Sequence, residues 1–294
     1  MNKVLILGGS GMLGHTLFCY LSGDPSLDVF ATVRSSKKLS GWLPTDHLKK
    51  VRLDVDIHQI DSLVKVFAEV KPDLVVNCIG IIKQVPEAQD PIATITANAL
   101  LPHRIALLCS VVGARMIHVS TDCVFDGEKG GYSERDLPNA PDLYGRTKLL
   151  GEVAYSHCVT LRTSIIGHEL KSTYGLVEWF LSQKEKVHGF RKVIYSGFPT
   201  VELSRIIGDY VIPNPELSGL YHVSSDPISK YELLKLTNIQ YGRNIEIKLE
   251  DSSRLDRSLD SSLFRSLTGY NPPTWTELVR RMYNDYLQGP YQNG

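Results

Sequence analysis

A seven-residue turn near the N-terminus constrains this chain more than any other stretch. Lys3 to Leu7 is short, apolar and rich in branched residues, as a strand buried on both faces is. Gly8-Gly9-Ser10-Gly11-Met12-Leu13-Gly14 follows at once, and then a helical pattern through Leu17, Cys19 and Leu21. Strand, glycine turn and helix in that order are the context of a dinucleotide-phosphate fingerprint. Gly8 permits the tight turn, Gly11 the close approach of a pyrophosphate and Gly14 the packing of helix on strand, with the anion at the helix N-terminus. The spacing is G-x-x-G-x-x-G, a departure from G-x-G-x-x-G. Gly8, Ser10, Gly11, Met12 and Leu13 are therefore expected along a bound dinucleotide.

The same unit repeats. Asp28 to Val33 reads as a second strand and runs into Val33-Arg34-Ser35-Ser36-Lys37-Lys38. An acidic residue at this point takes ribose hydroxyls in NAD-binding forms, whereas a basic one accommodates a 2′-phosphate. Arg34 and Lys37 thus point to NADP(H) over NAD(H), although basic surface loops are common. Val51 to Leu53 gives a third strand. Asp54 after it could accept from an adenine amino group or cap a helix, with Val55 beside it. Ile57 to Val70 has apolar residues at helical spacing, and Leu74-Val75-Val76-Asn77 is a fourth strand. Two βαβ units in succession predict a parallel, doubly wound sheet.

In such a sheet, ligands sit beyond the carboxyl ends of the strands. Cys78, Ile79 and Gly80 follow strand four at that edge, and Gly80 lets the backbone approach a cofactor. Pro91 to Val112 is a long helical pattern whose Asn98 is either structural or turned to the cofactor. Arg115 to Val119 is strand five, in which His118 reads as a core histidine. Ser120 and Thr121 close the strand, where a hydroxyl faces the ligand crevice and could bond a carbonyl oxygen gaining charge; an ordinary ST-turn has the same composition.

A polar loop with Gly130, Gly131, Pro138 and Pro141 leads to Asp142-Leu143-Tyr144-Gly145-Arg146-Thr147-Lys148-Leu149-Leu150-Gly151-Glu152. Tyr144 and Lys148 are four apart and share a helix face. An ammonium beside a phenol favours phenolate and lowers its pKa from about 10, so Tyr144 is a candidate proton donor. Most Tyr/Lys pairs at this spacing are solvated surface. Here the pair follows directly on the Ser120-Thr121 strand end and can share its crevice. Cys158 to Arg162 returns as strand six.

Net charge is zero, with 32 basic and 32 acidic residues that alternate without runs, which argues against nucleic acid and anionic membranes as partners. The apolar runs read as too short to span a membrane. Met1 to Gly8 leads into a glycine turn, and so reads as a strand and not a signal peptide. The five cysteines are scattered and lack metal-type spacing, which fits reduced thiols, a cytoplasmic location and no metal.

Together these motifs resemble the extended short-chain dehydrogenase/reductases and, within them, the dTDP-4-dehydrorhamnose reductase-like group. The resemblance covers nearly the whole chain. It is carried by Gly8-x-x-Gly11-x-x-Gly14, Asn77-Cys78-Ile79-Gly80, Ser120-Thr121-Asp122-x-Val124-Phe125-Asp126-Gly127, Tyr144-Gly145-Arg146-Thr147-Lys148 with Gly151-Glu152, and Leu161-Arg162-Thr163-Ser164. Pro199-Thr200-Val201-Glu202-Leu203 and Gly219-Leu220-Tyr221-His222-Val223 look like the group's substrate-domain signatures. The resemblance implies a catalytic trio of Thr121, Tyr144 and Lys148 that reduces a nucleotide-linked 4-keto-6-deoxy sugar in polysaccharide precursor synthesis. Hydride from NADPH would reach C4, Tyr144 would protonate the alkoxide, Lys148 would hold the nicotinamide ribose and tune Tyr144, and Thr121 would orient the keto oxygen. Ile81-Ile82-Lys83-Gln84-Val85-Pro86 departs from the small polar sequence of the rhamnose enzyme, which leaves UDP-linked 2-acetamido-2,6-dideoxy hexuloses open as substrates. An epimerase or dehydratase retaining NAD and a non-catalytic NADP-binding regulator are the alternatives, and the sequence leaves a homodimer open.

Beyond Arg162 the β-α-β order lapses. The expected architecture is an α/β Rossmann-type doubly wound parallel sheet over residues 1–165, with a smaller C-terminal α/β substrate-binding region over 166–294. A stretch near 200–215 is expected to return to the first part. Helical patterns cover 174–183, 201–211, 229–241 and 274–286; strands are expected near 193–195, 219–223 and 245–249; 254–260 is polar; and 288–294 reads as frayed. Lys83, Val124, Arg191 and Tyr195 are the candidate substrate contacts, Arg191 or Lys192 for a diphosphate.

Overall fold

The computed structural model describes residues 2–35, 45–170 and 172–293; Lys37 lies outside them. β1 (Asn2–Leu7) pairs in parallel with β2 (Leu27–Thr32) on one side and β4 (Leu74–Asn77) on the other. With β3 (Val51–Arg52), β5 (Arg115–Thr121), β6 (Cys158–Thr163) and β11 (Gly219–His222) they form a seven-stranded parallel sheet of order β11-β6-β5-β4-β1-β2-β3. The winding reverses between β1 and β4, which opens a crevice at their carboxyl ends. The turn after β1 and the loop after β4 meet there: Gly8 has φ +88°, and a Cβ on it would lie 2.9 Å from Ile79 Cγ1.

Continuous apolar strands require cover on both faces. Val4, Leu5, Ile6 and Leu7 have no exposure at all. Val4 and Ile6 pack with Leu17 and Phe18 of α1 (Met12–Ser22) and with Leu203 and Ile206 of α7 (Thr200–Ile206). Leu5 and Leu7 face Leu63 and Phe67 of α3 (Ile60–Val70) together with Leu101 and Ile105 of α4 (Pro91–Val112). A short α2 (Thr45–Leu48) precedes β3. Gly14 cannot be replaced where it stands, because a Cβ there would lie 2.1 Å from the Gly8 carbonyl oxygen.

The 22-residue α4 is long and apolar enough, by composition alone, to cross a membrane, contrary to the shorter apolar runs expected. In the fold it lies along the sheet, with Leu101, Ile105, Ala106 and Cys109 in the core. Its middle, Ile95–Leu100, widens into a π-turn that carries Asn98. Such bulges recur at functional sites.

After β6 the chain leaves the main sheet. β7 (Ile165–Ile166) pairs with β10 (Phe198–Pro199), and β8 (Lys186–Phe190) with β13 (Glu246–Glu250). β9 (Val193–Tyr195) lies between β12 (Ile228–Ser229) and β14 (Leu255–Asp256). Helices α6 (Leu176–Leu181), α8 (Lys230–Gln240), α9 (Ser262–Thr268) and α10 (Trp275–Gln288) complete the chain. α7 packs on α1, and β11 extends the main sheet beside β6. One strand here was not anticipated, and one expectation fails. The polar stretch 254–260 contains β14, whose pairing comes from a distant partner strand that two residues of local pattern cannot announce. The tail expected to fray forms a 3-10 turn, Pro290–Asn293, and the Tyr291 hydroxyl reaches Nε2 of His15 at 2.6 Å.

Candidate active site

A cleft of about 890 Å³ runs from the glycine turn, across the ends of β4 and β5, to the C-terminal strands. Gly8, Ser10, Gly11, Met12 and Leu13 line one end with Arg34 and Val55; Cys78, Ile79 and Gly80 line the middle. Gly11 caps α1 with no side-chain acceptor, so the first-turn amides are open to the cleft, as an anion site at a helix N-terminus requires. The residues at this end thus fit a dinucleotide. His15 braces the turn from below, its Nδ1 lying 2.8 Å from the Gly11 carbonyl oxygen.

The tyrosine helix is α5 (Leu143–Leu150), capped by Asp142, which accepts from the Gly145 amide at 2.8 Å. Two glycines fix its position. A Cβ on Gly145 would lie 2.2 Å from the Cys123 carbonyl oxygen, and one on Gly151 would lie 1.9 Å from that of Asn98. The helix is thereby clamped between the turn after β5 and the π-turn of α4, which brings Thr121, Tyr144 and Lys148 into one cleft.

Lys148 is buried, and its ammonium donates to the Val119 carbonyl at 2.8 Å. Burial lowers its pKa to about 8, against the raising influence of Glu152 and Cys78. Tyr144 behaves differently from the sequence-based expectation. Burial pushes its phenol well above the ordinary value, the neighbouring Cys123, Asp122 and Asp142 push the same way, and only the Thr121 hydroxyl opposes them. Desolvation outweighs any help from the lysine, so Tyr144 keeps its proton at neutral pH. The Thr121 hydroxyl accepts from the Cys123 amide at 3.1 Å and donates to Asp122 Oδ1 at 3.2 Å. Ser120 also lines the cleft, and its hydroxyl donates to Glu152.

Other candidates take different places. Asn98 does not line the cleft: it accepts from the Ile81 amide at 2.8 Å and donates to the Ile81 carbonyl at 3.0 Å, holding the loop beyond Gly80. Asp54, at φ +58°, neither lines the cleft nor caps α3, whose N-cap is Gln59. Val124 is fully buried with Phe125, Tyr132 and Leu259. Arg191 pairs with Asp251 away from the cleft. Lys83 does line it, with Nζ on Asp142 at 2.6 Å, and so does Tyr195.

The structure adds Asp122, Cys123, Lys230 and Arg257 to the cleft wall. Asp122 belongs to the Ser120-to-Gly127 motif, where it carries no assigned role, and Cys123, Lys230 and Arg257 carried no local motif. The one available signal is Lys230, a cation placed directly after the Ser229 cap, where a helix favours anions.

A family model described as the RmlD substrate binding domain matches residues 1–288. The beta subunit of methionine adenosyltransferase 2 from Bos taurus is 28% identical over 256 residues, covering 79% of this chain and 70% of that protein. A dTDP-4-dehydrorhamnose reductase from Mycobacterium tuberculosis is 36% identical over 101 residues, 31% of this chain and 33% of that one. The crystal structure of dTDP-4-dehydrorhamnose reductase from Bacillus anthracis in complex with NADP superposes with a TM-score of 0.79 at 23% identity, covering 97% of this chain and 100% of that one.

Proposed function

This chain belongs to the RmlD substrate-binding-domain family of extended short-chain dehydrogenase/reductases, and on that premise we propose that it reduces the C4 keto group of a nucleotide-activated 4-keto-6-deoxy sugar with NADPH. The observation that carries this reading is the convergence of Thr121, Tyr144 and Lys148 on one cleft with the open N-terminus of α1. The reductases from Mycobacterium tuberculosis and Bacillus anthracis, the latter holding NADP, support it.

A bound NADPH supplies the hydride. Tyr144, protonated at neutral pH, gives its proton to the C4 oxygen as that atom gains charge. A phenolate is left behind in a desolvated site, and the Lys148 cation offsets that charge. Thr121 stands beside Tyr144 and orients the oxygen, exchanging its bond to Asp122 for one to substrate. Arg34, exposed at the end of β2, suits a 2′-phosphate. A dTDP- or UDP-linked sugar, the latter bearing a 2-acetamido group, is the substrate class, in polysaccharide precursor synthesis.

A second reading has its own support: the relative matched over 79% of this chain is a subunit of a methionine adenosyltransferase. On that reading the protein binds NADP and regulates a partner enzyme without turnover. One experiment separates the two. A panel of 4-keto-6-deoxy nucleotide sugars is incubated with protein and NADPH, and absorbance at about 340 nm is followed. Consumption with one sugar supports the reductase; tight NADPH binding with no consumption across the panel favours the regulator.

A further inference from the structure

His15 follows the glycine turn directly, and the reaction above makes no use of it. Side chains on a helix lean toward its N-terminus, so a residue four places after the cap can reach back to the carbonyl of the cap. His15 does so. Its Nδ1 lies 2.8 Å from the Gly11 oxygen, which its own amide also reaches at 3.1 Å. A carbonyl can only accept, so Nδ1 carries the proton. Burial outweighs this bond and, with His168 nearby, lowers the pKa of the ring to about 4, which makes it neutral at pH 7. Nε2 of the neutral ring is therefore an acceptor.

The donor to Nε2 is the Tyr291 hydroxyl, 2.6 Å away and 276 residues later in the chain. That hydroxyl has one proton to give, and its other acceptor, Asp285 Oδ2, is farther at 3.3 Å. Thr16, 3.4 Å from the same Nε2, has a nearer acceptor in the Met12 carbonyl at 3.1 Å. The Tyr291 ring stacks with Tyr286 of α10 at 6.2 Å and lies 4.9 Å from the His168 ring. Glu169 and Gly175, which follow His168, line the cleft, and Gly175 abuts the turn itself: a Cβ on it would lie 3.0 Å from Met12 Cε. The tail is thus tied to the glycine turn by a hydrogen bond and to the segment beside that turn by its ring.

The bonds all run one way. Tyr291 gives its proton toward Nε2, and His15 Nδ1 gives its own toward the Gly11 oxygen. The peptide that starts at that oxygen ends at the amide of Met12, the first residue of α1, which has no partner inside the helix and opens on the cleft. Each donor in such a chain makes the next a stronger donor, and the last one points to where an anion sits at a helix N-terminus. We propose that Tyr291 and His15 are positioning residues for the dinucleotide: the tail, docked through them, fixes and polarises the Met12 amide that receives the cofactor pyrophosphate, so that tail docking and cofactor binding strengthen each other. It rests on a nicotinamide dinucleotide lying at the glycine turn, which the reductase and the regulator share, and not on turnover.

The test combines fluorescence titration of NADPH at pH 7 with amide hydrogen exchange of the tail, read by mass spectrometry on wild-type protein with and without NADPH. Tyr291→Phe keeps the ring packing and removes the donor, and should weaken NADPH about threefold. His15→Leu should weaken it at least as much. In the His15→Leu background Tyr291→Phe should then add nothing, since the tyrosine acts only through the histidine; two independent packing contacts would give additive losses. Saturating NADPH should slow exchange of the wild-type tail by the same factor of about three, because coupling between two sites is reciprocal. Equal NADPH affinity in wild type and Tyr291→Phe overturns the proposal. So do additive losses in the double variant, or tail exchange that is the same with and without cofactor. A wild-type protein that binds neither NADPH nor NADH overturns it together with the cofactor assignment. Should the coupling appear while the sugar panel shows no NADPH consumption, the tail's role stands and the reductase reading falls. Turnover without the coupling overturns the tail's role and leaves the reductase reading intact.

Discussion

The Ser120 hydroxyl donates to Glu152 Oε1 at 2.7 Å. The same carboxylate holds the Arg162 guanidinium on both oxygens, 2.7 Å from Nε and 2.7 Å from Nη2, and Arg162 in turn meets Nε2 of His222 at 3.3 Å. One largely buried acid thus ties the end of β5, the end of the tyrosine helix and strands β6 and β11 together, and its charge supports the Lys148 ammonium. Glu152→Gln leaves a buried guanidinium without its counter-charge. The expected cost is about 3 kcal/mol, read from urea unfolding, together with a shift of the alkaline limb of activity to lower pH as Lys148 loses that support. An unchanged limb would mean that Glu152 acts only as a fastener.

Tyr144→Phe should lower turnover by about 10²-fold or more while cofactor affinity stays within about twofold, because the phenol supplies a proton and little binding. Single-turnover kinetics and NADPH fluorescence titration measure the two quantities. A Phe variant at the wild-type rate removes Tyr144 as the acid.

Lys148, with a pKa near 8, is cationic below that pH and neutral above it. Activity that needs the cation is therefore held below about pH 8 and lost as the pH rises through it. Stability moves the other way: the unfolded lysine, at 10.5, binds more protons between 8 and 10.5, so folding gains from this group as the pH rises across that window. Comparing Lys148→Met with wild type in both pH profiles isolates the effect.

His15 lies between the Gly11 carbonyl and the Tyr291 hydroxyl, and burial, with His168 nearby, lowers its pKa to about 4. The unfolded chain binds more protons here between about 6.5 and 4, so stability is lost as the pH falls through that range. His222, also lowered to about 4, acts in the same sense, while the raised carboxyls of Asp122 and Asp285 oppose it. The melting temperature of His15→Gln should depend less on pH across this window than that of wild type. Tyr291→Phe should cost about 1 kcal/mol at pH 7.

Arg34→Glu should reverse the cofactor preference, weakening NADPH by about tenfold or more and NADH by much less, since the arginine serves only the 2′-phosphate. Parallel titration of both cofactors against the wild type and the variant decides it. Tighter binding of NADH than NADPH by the wild-type protein would remove the NADP assignment.

How much of this was legible in the sequence depends on the distance between the residues concerned. Gly8, Gly11 and Gly14 announce their turn because the steric demand is local: the Gly8 carbonyl leaves no room for a Cβ six residues later. Tyr144 and Lys148 announce a shared face because the helix repeat is local too, and the alternation of strand and helix is enough to predict a parallel sheet. Tertiary structure decided what that shared face does. Lys148 turns to the Val119 carbonyl, and burial holds Tyr144 protonated, against the expectation from spacing alone. It also removed Val124 and Arg191 from the cleft, one into a small core and the other onto Asp251, and brought in Lys230 and Arg257 from segments more than a hundred residues beyond Thr121. Periodicity records whether a residue is buried, and the charge of a side chain records what it could bind. Neither records which strand its neighbour pairs with, and it is the pairing of β14 with β9 that delivers Arg257 to the site.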